Sequence, residues 1–93
     1  MQRQATMKVD EGARATRDQL LQMFRKTATE VVEKDFHHVQ EATVISELAI
    51  DSLGMLEIIG SLERELRIQI PDESLTGLTT VRDLLDVVEK RQD

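Results

Sequence analysis

Thr80 is followed by Val81, Leu84, Leu85 and Val88, the i, i+3, i+4, i+7 spacing that lines one face of an α-helix. Thr80 supplies a capping hydroxyl, Asp83 stands three residues on, and Lys90 and Arg91 suit the C-terminal end of a helix dipole. The same construction occurs earlier. Thr16 and Gln19 have capping-box spacing, and Leu20, Phe24, Ala28 and Val31 follow on one face of a helix over about 17–34. Another run extends from Ser52 to about Leu66 with Asp51 as its N-cap. Apolar stripes of helical period suit helix packing, whereas a half-buried strand needs period two. The spacing predicts an all-α fold.

The connections shape the bundle. "DFHHVQEATVISELAI" has no clean period, yet Val39, Val44, Ile45, Leu48 and Ile50 predict that it packs down, with one short turn at Ser46–Leu48. "RIQIPDESLTGL" breaks the second helix: Ile68 and Ile70 turn inward, Pro71 ends the segment, and Asp72 caps a short helix through Leu75. Three main helices plus a short one make a small four-helix bundle in a single domain, residues 16–93. Residues 1–15 show no sustained stripe and contain Gly12, so they are expected to form a disordered N-terminal arm. A 93-residue chain buries only about 60–65% of its unfolded surface, so the expected core is modest.

Composition removes several functions. There is no cysteine, hence no disulfide, thiolate metal site or cysteine nucleophile. No apolar run approaches the ~18 residues of a membrane span and nothing near Met1 reads as a signal peptide, so a cytoplasmic, membrane-free monomer is expected. The net charge of −6 is unevenly spread, +2 over residues 1–34 and −8 over 35–93. Such an acidic surface disfavours nucleic acid and favours basic partners.

A helical projection of residues 52–66 separates two faces. Met55, Ile58, Ile59, Leu62 and Leu66 fall within one arc and are predicted core. Ser52, Leu53, Leu56, Glu57, Gly60, Glu63 and Arg64 occupy the other side. Isolated exposed leucines are ordinary, but two of them ringed by Glu57 and Glu63 beside Ser52 also describe a docking spot. Gly60 lies there too, where a missing side chain permits close approach by another surface. A neutral mid-helix glycine is the simpler reading.

Ser52 has two readings of its own. Asp and Ser are ordinary helix-start residues, and an exposed serine there is also reachable by a modifying enzyme. As a nucleophile paired with His37 or His38 it lacks a Gly-x-Ser-x-Gly elbow, and two histidines alone make a poor metal site, so neither catalysis nor metal binding is expected.

"ELAIDSLGMLEIIGSLEREL", then "IQIPDESL" and "TTVRDLLDVV", resembles the acyl carrier protein family over about residues 17–91. The resemblance implies a non-catalytic carrier, with 4′-phosphopantetheine from coenzyme A esterified to Ser52 and with Asp51 and Leu53 as flanking signature. Acyl groups would ride as thioesters on the arm, which also explains a thioester carrier without cysteine. It implies a phosphopantetheinyl transferase and ketosynthase-, acyltransferase- or other acyl-processing enzymes as partners, docking through Leu56, Glu57, Gly60, Glu63 and Arg64. Met55, Ile59 and Leu62 are candidate liners of a sheltered acyl chain, or simply core.

Departures bear on the pathway. Ala49 replaces a glycine usual in the family, and Gly54 and Arg64 stand where primary fatty-acid carriers commonly have acidic residues, with Arg67 following. They favour polyketide or specialised lipid synthesis over housekeeping fatty-acid synthesis. The competing reading is an unmodified helical adaptor that uses the outward face of residues 52–66.

Overall fold

The computed structural model describes residues 15–92, with helices α1 (Arg17–Val32), α2 (Ser52–Leu66) and α3 (Val81–Arg91). Two 3₁₀ turns, Ile45–Leu48 and Asp72–Leu75, stand in the connections before and after α2. The predicted short fourth helix is therefore a single 3₁₀ turn. Pro71 occupies its N-cap position, and Asp72 is its first residue rather than its cap. No strand forms among the described residues; one isolated antiparallel bridge pairs Val44 with Thr80.

Local chemistry sets the helix ends. Thr16 and Gln19 close a reciprocal capping box on α1, and Thr80 and Asp83 close another on α3. The Asp83 carboxylate accepts from the Thr80 and Thr79 N–H groups, which hold its pKa below the usual carboxylate value. Helix α1 stops two residues short of the expected end because Glu33 adopts a left-handed conformation (φ 62°) and donates its N–H to the Thr29 carbonyl. Arg67 ends α2 in the same way (φ 58°).

The long connection before α2 is bound to the start of α3. Val81 and Arg82, the first two residues of α3, donate their N–H groups to the carbonyls of Thr43 and Glu41 at 2.9 and 2.8 Å. These amides have no acceptor within their own helix, so the loop supplies what α3 lacks. Arg17 adds a charged tie, pairing with Glu41 of the loop and with Asp86 and Glu89 of α3. Residues 1–14 of the expected arm lie outside the described residues. Ala15, the last of the arm as predicted, is buried, and the Gln92 side-chain amide both accepts from its N–H and donates to its carbonyl.

One core joins the three helices and the loop. Leu20, Phe24 and Ala28 of α1 meet Ile58 and Leu62 of α2, the Val81–Val88 stripe of α3, and Phe36 and Val39 from the loop. Met55 and Leu66, expected in the core arc, are half-buried at its margin.

Ala49 stands in the left-handed region (φ 57°) at the end of the first 3₁₀ turn, two residues before Asp51. A Cβ there costs about 1–2 kcal/mol, partly offset because glycine loses more freedom on folding. Ala49→Gly is therefore expected to raise the denaturant midpoint, by about 0.5–1 kcal/mol of stability. A lower midpoint would show that the exposed methyl group contributes packing that exceeds its backbone strain.

Candidate functional site

The site begins at the junction of the first 3₁₀ turn and α2. Asp51 is extended, and its carboxylate accepts the Gly54 N–H at 2.7 Å, so α2 starts at Ser52. Among the described residues no group accepts from the Ser52 and Leu53 N–H groups. At α3 the corresponding amides are taken by the loop; at α2 they remain available beside an exposed serine. A phosphodiester on the Ser52 hydroxyl suits this position, because free helix-start amides and the positive dipole end both favour an anion.

Gly54 sits in tight surroundings. A Cβ built there would lie 3.0 Å from Ile50 Cγ2 and 3.1 Å from the capping Asp51 oxygen, with Val32 of α1 behind. Its absence lets the Asp51 cap, Ile50 and the end of α1 close on one point. A side chain at this position would need Ile50 and the Asp51 cap to give by a few tenths of an ångström, so packing as well as surface charge bears on Gly54. A glycine three residues after an N-cap was the available sequence signal for such crowding.

Leu53 and Leu56 are exposed, at 66% and 58%, and Glu57 and Arg64 are exposed on the same side. Gly60 is half-buried on the α1 side. Glu63 differs from expectation. It is half-buried, and its carboxylate accepts the Ile70 N–H at 2.7 Å, tying the segment after α2 back onto the helix. Projection onto a wheel placed Glu63 on an outward rim, but the chain beyond Arg67 returns to cover it.

Ile59 and Leu62 are buried and Met55 half-buried, in or against the common core. Two depressions lie along α2, of about 640 and 300 Å³, and none of these three residues lines either. The His37 ring is exposed and bonded to Asp35, whose carboxyl it holds below the usual range through its backbone N–H and then its ring. Among the described residues no group of three or more His, Asp or Glu stands close enough to hold a metal, and no helix is long and apolar enough to cross a membrane.

Comparisons with known proteins agree with this geometry. Residues 18–88 match the family described as "Phosphopantetheine attachment site". Acyl carrier proteins of three strains of Clostridium perfringens are 40% identical over 53 residues, which is 57% of this chain and 70% of theirs. The crystal structure of an acyl carrier protein from Thermotoga maritima aligns with a TM-score of 0.74 at 32% identity, covering 81% of this chain and 88% of that one.

Proposed function

This chain belongs to the phosphopantetheine attachment-site family as an acyl carrier protein, and from that premise we propose that Ser52 is its attachment residue and the substrate of a phosphopantetheinyl transferase. The observation that carries the assignment is the exposed Ser52 hydroxyl beside two helix-start amides that find no acceptor among the described residues, behind an Asp51 cap that fixes where α2 begins. In loading, the Ser52 oxygen displaces adenosine 3′,5′-bisphosphate from coenzyme A. A Ser–O–P bond forms, the pyrophosphate bond breaks, and the hydroxyl proton leaves to the transferase. The bound group supplies a terminal thiol that holds acyl chains as thioesters; the chain's own residues present, orient and dock.

Dedicated polyketide or specialised lipid synthesis remains the reading we favour for the pathway. Gly54 bears on it less, since a Cβ there would press on Ile50 and the Asp51 cap. Arg64, exposed on the outward face of α2, and the following Arg67 still make this surface less acidic than a primary fatty-acid carrier implies. The cytoplasm is the compartment proposed.

Incubation of the apo chain with coenzyme A, Mg²⁺ and a phosphopantetheinyl transferase tests the carrier reading. The intact mass is expected to rise by a single phosphopantetheine. An unchanged mass would favour the adaptor reading of the Leu53 and Leu56 face.

A further inference from the structure

The smaller of the two depressions, about 300 Å³, opens where the end of α1 meets the start of α2. Asp51 and Leu53, the two neighbours of Ser52 in the chain, both line it. Val31 and Val32, from the last turn of α1, and Ala49, at the end of the loop, give it an apolar wall. Glu57 lines it one helical turn beyond Leu53. A Cβ on Gly54 would stand between two of these lining side chains, 3.1 Å from the Asp51 oxygen and 3.9 Å from Val32. The missing side chain leaves that space open.

The chemistry of this lining narrows what it can hold. Among the described residues no cation lines the depression, so it suits a neutral group rather than a phosphate. Its charged groups, Asp51 and Glu57, are carboxylates, which accept hydrogen bonds and donate none. Asp51 uses one oxygen on the Gly54 N–H and retains acceptor capacity on the other. The lining therefore fits a branched apolar carbon with hydroxyl or amide donors beside it. Phosphopantetheine carries those groups in that order. Its phosphate is followed by a carbon bearing two methyl groups, then by a secondary hydroxyl and an amide N–H.

We propose that the first, branched segment of the attached arm rests in this depression, its two methyl groups on Val31 and Val32 and its donors toward Asp51 and Glu57. The inference rests on the carrier reading of Ser52 and gives the arm a resting place on the α1 side of α2. The arm's two chemistries are then held apart. The anion stays at the Ser52 and Leu53 amides, which find no acceptor among the described residues, and the neutral segment passes Leu53 into the depression. Covalent attachment makes the contact intramolecular, with an effective concentration on the order of millimolar, so a weak affinity is enough. On the other flank of α2, Met55 and Ile59 pack in or against the core. An arm resting on the α1 side does not require the helices to part.

The test is NMR of the full chain before and after loading from coenzyme A that is isotope-labelled in its two geminal methyl groups, with intact mass reporting the loading. Cross-peaks are expected between those methyl groups and the side chains of Val31 and Val32, with chemical-shift changes reaching Ala49 and Glu57. Cross-peaks to Met55 or Ile59 instead would overturn the proposal and put the arm on the core flank. Methyl groups with no cross-peak to the chain and the narrow lines of a free arm would overturn it too. Val31→Ala and Glu57→Ala are each expected to weaken the cross-peaks to Val32 at least about threefold. Thermal melting of each apo variant controls for the fold, and Glu57 is exposed, so its truncation leaves the core untouched. Undiminished cross-peaks in either folded variant would overturn the lining. A native chain that gains no mass would remove the carrier reading itself, whereas a loaded chain without these contacts loses only the resting place.

Discussion

Ser52→Ala is expected to abolish phosphopantetheine loading completely and to leave the fold in place. The two halves of that expectation have separate causes. Loading needs a nucleophilic hydroxyl at the start of α2, and alanine has none. The fold needs the N-cap, which is the Asp51 carboxylate on the Gly54 amide, and the substitution does not touch it. Ser52 is exposed and occupies the first helical position, where alanine is an excellent helix former. Stability should therefore stay within about 0.5 kcal/mol of the native value. Intact mass after transferase treatment and thermal melting by circular dichroism measure the two halves independently. A variant that still gains the group, or one that unfolds, would contradict this division of labour between Asp51 and Ser52.

Phe24→Ala should have the largest effect on stability. The chain contains only two aromatic residues, and Phe24 is fully buried among the three helices. Truncating a buried Phe costs about 3–5 kcal/mol from lost transfer energy and the cavity left behind. A domain of this size has a total stability of about 5–10 kcal/mol, so most of it would go. The urea midpoint should collapse, with Phe24→Leu recovering much of the loss because it restores volume. A loss below about 1 kcal/mol would mean that the core relaxes around the gap.

Much of this fold was readable before any coordinates, and the readable parts share a cause. Thr16, Asp51 and Thr80 each act on the backbone N–H three residues away, so the caps and starts of α1, α2 and α3 follow from local sequence. The exposure of Leu53 and Leu56 follows from the same helical period that buries Ile58 and Leu62. Helix ends were less legible. Glu33 and Arg67 take a left-handed conformation that sequence normally signals with glycine. Asp72 looked like a cap, but Pro71 takes that position in a 3₁₀ turn too short to need one.

The candidate site divides in the same way. Asp51, Ser52 and Leu53 lie together in sequence and at one helix start, so their juxtaposition needs no tertiary information. Glu63 was misplaced because its partner, the Ile70 N–H, arrives from beyond Arg67 along a segment with no helical period. The larger depression along α2 was invisible for a related reason. Glu30 and Leu56 are 26 positions apart in sequence and become neighbours only through the packing of α1 on α2.

Fragmentation mass spectrometry of the transferase-loaded chain tests the central claim most directly, because it places the added group on a residue. The peptide containing Asp51-Ser52-Leu53 is predicted to carry the phosphodiester, with the fragment series changing mass at Ser52. Ser46, Ser61 and Ser74 serve as internal controls and should remain unmodified. Modification at any of those three, or at a threonine, would contradict the assignment of Ser52 as the attachment residue.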